Sequence, residues 1–322
     1  MNCEPRISLV QTNYQGRRNL ENYLPRTLET VRNSPLVGEV LIADDASTDG
    51  SVQLLAERFP SVRVVALPRN RGFGATANAA FEAARFPYVL NISSDMVLEA
   101  GAVEALMAGF VRPEVFSVSV RLMRPDGRLD KGRAIPMFWT GDLKMWRAAS
   151  ELAGELPPPG GWLQHFSGAI GLFDRRIFLE LGGFDDLFLP FFAEETDLCY
   201  RAWKRGYRIL YQPDAVVTHH HEESGTIKNN FTRRARTLQF KKNRLLFVWK
   251  NIHDPALVAL HGVNLVARTA LSWLFLDFGY YTALARALRS WPAALEGRRR
   301  EQLASKRSDR EVFREFRATL YP

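Results

Sequence analysis

Apolar runs alternate with helically spaced apolar positions through the first hundred residues. Arg6-Ile7-Ser8-Leu9-Val10 reads as a short buried strand that ends in the polar loop Thr12-Asn13-Tyr14. Leu20, Leu24, Leu28 and Val31 recur at helical spacing and predict a helix over 19–33. Glu39 to Ala43 is a second strand, stopped by Asp44-Asp45-Ala46-Ser47-Thr48-Asp49-Gly50. A helix over 52–59, a third strand over 62–66 and a turn at Asn70-Arg71-Gly72-Phe73-Gly74 follow. A small-residue helix over 75–84 then leads to a fourth strand over 88–92, which ends in Ser93-Ser94-Asp95. Such alternation predicts an α/β fold, a mostly parallel sheet flanked by helices. Ligands of these sheets sit beyond the carboxyl ends of the strands, where the polar loops 12–14, 44–49 and 93–95 fall.

Val115 to Met123 is another strand, followed by a turn at Pro125-Asp126-Gly127. Residues 130–162 lack regular periodicity and break at Pro157-Pro158-Pro159-Gly160-Gly161, which predicts a mobile loop over a site. Helices are predicted over 176–181 and 195–205, ended by Gly182-Gly183 and Gly206. The acidic cluster Glu194-Glu195-Thr196-Asp197 opens the second of these, and His219-His220-His221 closes the strand that follows.

Beyond Gly225 the pattern changes. Residues 228–250 hold eight Lys/Arg and no acid, mixed with Phe231, Phe240, Phe247 and Trp249. Residues 256–291 are strongly apolar, interrupted by Arg268 and Asp277. A basic segment before an aromatic-rich apolar helix reads as an interfacial membrane anchor over 228–292, or as helices packed on the main domain. The chain thus divides into 1–227 and a helical extension, 228–322.

Charge sharpens this division. The 322 residues carry a net +8, but 228–322 has 19 Lys/Arg against 7 Asp/Glu, or +12, leaving −4 for the first 227. That asymmetry suggests a nucleic-acid or acidic-lipid surface, or a solvated basic tail; a nucleic-acid partner ranks far behind the lipid surface. With 46% hydrophobic and 24% charged residues the chain is globular, not disordered. Cys3 and Cys199 make neither a disulfide framework nor a zinc pattern, and no apolar run follows a basic start. A cytoplasmic location is therefore expected.

The polar clusters suggest chemistry. Asp44 and Asp45, after a strand, suit hydrogen bonds from a nucleobase N–H or a ribose hydroxyl, or a plain turn or helix cap. Asp95 suits a divalent cation, with His219 as an additional ligand; Mg2+ and Mn2+ take oxygen ligands and often bridge to phosphates. Glu194 and Glu195 complement a helix N-terminus, and either would serve as general base towards an acceptor hydroxyl. Together these parts describe displacement of a nucleotide diphosphate by a hydroxyl.

From about Ile7 to about Ser224 the chain resembles the inverting family 2 glycosyltransferases of GT-A fold, especially rhamnosyltransferase-like members. Asp44-Asp45-Ala46-Ser47-Thr48-Asp49-Gly50-Ser51 is similar to the family's DDxSxDGS, and Asn70, Gly72 and Asn78 fall in its N-x-G-x-x-x-A-x-N segment. Ser167-Gly168-Ala169 and Gly182-Gly183-Phe184-Asp185 match the SGA and GGFD elements, Glu194-Glu195-Thr196-Asp197-Leu198 matches EDxDL, and Pro213 to His219 matches P-x-A-x-V-x-H. The resemblance implies nucleotide binding by Thr12, Asn13, Tyr14, Asp44, Asp45, Asn70, Gly72, Asn78 and Ser94. It implies an acceptor side at Ser167, Gly168 and Asp185, Mg2+ or Mn2+ on Asp95 and His219, and Glu195 as base, with Glu194 the other candidate. The donor would be a UDP- or dTDP-sugar, the acceptor a glycan or lipid-linked hydroxyl, and the place of action the inner face of the plasma membrane. Two positions depart from the pattern: Ser93 replaces the first DxD acid, and Glu195 stands where Asp is usual. These departures motivate the alternative of a catalytically silent GT-A-like binding module.

Overall fold

A computed structural model describes residues 6–147, 163–221 and 231–317. The central sheet is built first from β1 (Ile7–Asn13), β2 (Val37–Asp44), β3 (Arg63–Ala66) and β4 (Tyr88–Ser93), all parallel in the order β4-β1-β2-β3. Helices α1 (Arg17–Arg32), α2 (Ser51–Arg58) and α3 (Phe73–Ala83) make the crossovers. These are the elements that the alternating pattern predicts, each within two or three residues. Every residue of β1 is buried, as expected of a strand covered on both faces.

The second half of the sheet is mixed. β6 (Val115–Met123) pairs parallel with β12 (Arg208–His219), and β11 (Gly171–Asp174) is inserted antiparallel between β4 and β6. Gly171, at φ +150°, lies where an added Cβ would meet Val118 O at 2.3 Å, so only glycine lets β11 approach β6 there. Short strands β5 (Met96–Leu98), β7 (Leu129–Lys131) and β10 (Leu163–Gln164) add to its edges, and α4 (Ala102–Met107) lies beyond β5.

Residues 134–147 correct the expectation of an irregular loop. β8 (Ala134–Trp139) and β9 (Asp142–Arg147) form an antiparallel hairpin across Thr140-Gly141, both at positive φ. The irregular composition hides strands whose inward residues, such as Ile135 and Leu143, pack on the C-terminal helices. The Pro/Gly break at 157–161 lies outside the described residues.

Helices α5 (Arg175–Glu180) and α6 (Glu194–Lys204) match their predicted positions. The apolar stretch 256–291 is not one helix. Among the described residues five follow: α7 (Arg233–Asn251), α8 (Pro255–Leu274), α9 (Phe278–Arg289), α10 (Trp291–Ala304) and α11 (Asp309–Arg317). The expected domain boundary falls outside the described residues, and the apolar core runs across it. Leu246, Phe247, Trp249, Val312 and Phe316 share one buried cluster with Phe166, Tyr200 and Trp203.

Polar bonds reinforce this union. Lys250, fully buried on α7, donates to Asp185 Oδ2 and to Asp197 Oδ1, each at 2.7 Å, and Asp197 also accepts from Arg201 and Asn251. Asp309 at the start of α11 accepts from Tyr200 and Lys204 on α6 and from the amides of His253 and Asp254.

Candidate active site

The loops after β1, β2 and β4 lie side by side because those strands are in parallel register, with Asn13 opposite Asp44 and Thr12 opposite Ser93. Their acids organise the loops. Asp44 is fully buried, accepting from Asn13 Nδ2 and from the Ser47 amide, both at 2.8 Å. Asp45 accepts from the amides of Arg71 (2.7 Å) and Gly72 (2.8 Å), tying the β2 loop to the 69–72 loop. Gly72 has φ +84°, and an added Cβ would meet Pro190 O at 2.5 Å, so this junction requires glycine. Thr12, Asn13 and Ser94 are buried at the same end, while Tyr14 is half-buried and Asn70 exposed.

Asp95 and His219, 124 residues apart in sequence, meet because β5 pairs antiparallel with the end of β12, setting His219 opposite Met96. His219 Nε2 is 3.2 Å from Asp95 Oδ2. On its other side, His219 Nδ1 is 2.8 Å from Asp130 Oδ2, and His221 Nε2 is also 2.8 Å from that oxygen. Asp130 and His221 were not expected from sequence. Asp130 sits in β7, which only the pairing with β6 brings here, and His221 lies beyond the last motif, which ends at His219. Burial alone would raise the Asp130 carboxyl, but the hydrogen bonds and charge of the two imidazoles outweigh it and hold it below its ordinary value. Burial opposes the charged form of His219, but its two carboxylate partners prevail and raise its pKa.

The donor set fits a divalent cation. Asp95 Oδ1 is buried with no hydrogen-bond partner, beside an imidazole nitrogen. Carboxylate oxygen and imidazole nitrogen together suit Mg2+ or Mn2+. Ser93 contributes no acid to this set.

The two glutamates at the start of α6 have different surroundings. Glu195 and Thr196 line a cavity of about 300 Å³, together with Lys131, Arg133, Ser167 and Gly168. Met145 and Trp146 of the β8–β9 hairpin close its outer wall. Glu194 instead turns inward, with Oε2 buried and unpartnered. Burial, with the charge of Glu195 beside it, pushes the Glu194 carboxyl up to about 8. Glu194 is therefore largely protonated at neutral pH, which favours Glu195 as the base of the pair.

The segment that presents them is strained: Phe192 and Ala193 both have φ above +70°. Buried Asn243 of α7 holds it, with Nδ2 within 2.7–3.0 Å of the carbonyls of Phe188, Phe191 and Phe192. His165, buried on the cavity side, accepts from the Ala134 amide at 3.0 Å, and burial lowers its pKa to about 3, so it is a neutral support for the 165–168 turn. Asn243 and His165 escaped the sequence reading because neither lies in a motif.

Two expected site residues are drawn elsewhere. Asn78 is bound at both ends of its amide to the Phe184 main chain, at 2.8 and 2.9 Å, so it braces α3 against the 183–185 turn and not the strand-end loops. Asp185 is taken up by Lys250, Arg300 and the Leu187 amide, so it locks α7 and α10 to the domain and not the acceptor cavity. The attraction of the buried Lys250 ammonium outweighs burial and holds the Asp185 carboxyl down at about 2.

The model of the family described as Glycosyl transferase family 2 matches residues 13–182, more than half of the chain. The N-acetylglucosaminyl-diphospho-decaprenol L-rhamnosyltransferase of Mycobacterium tuberculosis is 28% identical over 243 residues, covering 68% of this chain and 77% of that protein. Among solved structures, GalNAc-T7 with UDP, GalNAc and Mn2+ has a TM-score of 0.60 at 15% identity, over 79% of this chain. The match covers 49% of GalNAc-T7, so the chain spans about half the length of that neighbour. S. aureus TarS 1-349 in complex with UDP-GlcNAc has a TM-score of 0.55 at 16% identity, over 98% of this chain and 93% of that one. At such identities the structural likeness speaks for the fold, which is GT-A.

Proposed function

Because the chain belongs to glycosyltransferase family 2, we propose that it moves one sugar from a UDP- or dTDP-sugar to a hydroxyl of a glycan or lipid-linked acceptor, inverting the anomeric carbon. The acceptor hydroxyl enters the cavity lined by Glu195, Ser167 and Gly168. Its oxygen bonds to the anomeric carbon as the bond to the diphosphate breaks, and Glu195 takes its proton. A single displacement of this kind inverts the centre. The loops 12–14, 44–47 and 70–72, with Ser94, cradle the nucleotide, while Asp44 and Asp45 shape those loops. Asp95 and His219 would hold Mg2+ or Mn2+, which when bound would neutralise charge on the leaving diphosphate.

The observation that carries this reading is that Glu195 lines an open cavity while a carboxyl oxygen of its neighbour Glu194 is buried without a partner. The decaprenol-linked substrate named for the mycobacterial relative supports a lipid-linked acceptor, and with it a role in cell-envelope polysaccharide assembly at the inner membrane face. Peripheral membrane contact through 228–292 belongs to the same reading.

The test is calorimetry with UDP, dTDP, GDP and CMP, each with and without Mn2+, followed by transfer assays on Glu195→Gln. Metal-dependent binding of UDP or dTDP is expected. In Glu195→Gln, transfer should fall roughly 10²–10⁴-fold with donor binding intact. Binding of none of the four, or undiminished transfer by Glu195→Gln, overturns the proposal. Donor binding without transfer to any hydroxyl acceptor favours the silent binding module.

A further inference from the structure

Helix α8 is amphipathic in the wrong sense for a protein in water. The side towards the body carries its polar residues: His261 and Ser272 are buried, and Asn264, Arg268 and Thr269 half-buried. These recur at helical spacing, and they are satisfied from within. His261 is bonded to Gly141 O (2.6 Å) and Trp249 Nε1 (3.0 Å), Thr269 Oγ1 donates to Leu265 O, and Arg268 lies over the Tyr280 ring. Every residue of α8 classed as exposed is Pro, Ala, Val, Leu, Gly or Trp. Val263, Val266 and Leu274 are 68%, 72% and 70% exposed.

The turn after α8 continues this surface, with Trp273, Phe275, Leu276 and Phe278 between 60% and 74% exposed. An apolar face of this kind marks a surface covered by something. Helix α8 has the length and hydropathy of a membrane span. However, it is held to the body along its length: His261 anchors its first half, and Asp277 just past its end is bonded to Lys241 of α7 at 2.6 Å. It therefore lies along the body rather than projecting as a span.

Charge identifies the cover. Between 255 and 295 the only acid is Asp277, which Lys241 neutralises. Against it stand Arg268, over the Tyr280 ring, and exposed Arg286 and Arg289 on α9, so the segment carries a net positive charge. A second copy of this segment would set like charges against one another, whereas anionic head groups neutralise them. An apolar face with exposed Trp and Phe at its end, on a segment of net positive charge, is the pattern of a helix lying in the interfacial plane.

The same helix leads to the active site. Gly141, at the turn of the β8–β9 hairpin, has φ +75°, and an added Cβ would meet Leu260 O at 2.6 Å and His261 Cα at 2.7 Å. The hairpin is thus seated directly on α8, and its other strand carries Met145 and Trp146, which wall the Glu195 cavity.

We propose that the outward face of α8 and the turn 273–278 lie in the head-group layer of an anionic phospholipid bilayer, holding the hairpin wall of the Glu195 cavity at the membrane surface. The proposal rests on the reading of the acceptor as lipid-linked. It moves the contact from the basic segment 228–250, much of which is committed to the protein core, to α8 and the turn that follows.

The experiment uses the full chain with sedimented vesicles of phosphatidylglycerol and phosphatidylcholine, and of phosphatidylcholine alone. The variant Val266→Glu/Trp273→Glu changes two exposed side chains outside the active site. Wild type should bind the anionic vesicles and bind neutral ones more weakly. The double variant should lose roughly tenfold or more of that affinity, with its melting temperature and UDP binding unchanged. Absent wild-type binding, or equal binding by the variant, overturns the proposal. So does a wild-type dimer that the variant converts to monomer without vesicle binding by either, since a second copy then covers the face. Binding of UDP or dTDP reports on the donor site separately: the absence of both beside variant-sensitive vesicle binding counts against the proposed donor site and not against the membrane surface.

Discussion

Glu194 and Glu195 are adjacent and chemically identical, and their surroundings alone separate them. The sequence left either as the base; the structure buries one carboxyl and opens the other to a cavity. The burial of Glu194 has a consequence for stability. Its carboxyl titrates near 8 when folded against an ordinary value of 4.5, so the unfolded chain ionises first as pH rises. The contribution of the protonated form is complete below about 4.5 and is lost progressively up to about 8. Over that window wild type should lose on the order of a few kcal/mol relative to Glu194→Gln. Urea denaturation of both proteins at pH 5 and pH 9 measures it, and parallel pH profiles would show that Glu194 is not buried as an acid. The candidate metal-ligand pair shows a different limit of the sequence. Asp95 and His219 are legible in motifs, while Asp130 carries no local signal, because only the pairing of β6 with β7 brings it to the same imidazole.

Helix α7 illustrates how a charge pattern misleads at the scale of an element. Eight cations without an acid over 228–250 suggest a solvated or lipid-facing stripe. In the fold, Lys250 has no exposed surface and lies between Asp185 and Asp197, while Asn243 on the same helix grips the strained segment before Glu194. The partners of Lys250 lie 65 and 53 residues away, so no local pattern announces them. Replacing Lys250 by Met keeps much of the volume and leaves buried Asp197 and half-buried Asp185 without their shared cation. Breaking a buried ion pair from one side costs about 3–5 kcal/mol, and Lys250→Met should fall in that range by equilibrium denaturation. A loss under about 1 kcal/mol would place the pair in the class of exposed salt bridges. The strands β8 and β9 are the complementary case: their alternation is too short and too broken by Pro136 and Gly141 to stand out, and packing on the C-terminal helices makes them strands.

For the whole molecule, the alternating pattern of the first hundred residues foretold the parallel half of the sheet, because each strand there is a buried apolar run closed by a polar loop. It foretold less about how the C-terminal third attaches, since amphipathic helices that pack on a domain and helices that lie on a membrane share a composition. The extension presents two kinds of helix surface. Its helices α7, α10 and α11 complete the catalytic core, placing Leu246, Phe247, Trp249, Val312, Phe313 and Phe316 against Phe166, Tyr200 and Trp203. Each large apolar side chain so buried contributes about 1.5–3 kcal/mol, and half a dozen together match the net stability of a domain, roughly 5–15 kcal/mol. A chain ending at residue 227 should therefore show no cooperative melting transition by circular dichroism. Among the described residues the outward face of α8 packs on nothing, so Val266→Glu/Trp273→Glu should melt as wild type does. If the truncated chain melts cooperatively near the wild-type temperature, the division at 227/228 is a true domain boundary and the buried network through Lys250 is dispensable. If it does not, loss of membrane binding by truncation says nothing about the membrane, and only the surface substitutions can test that contact.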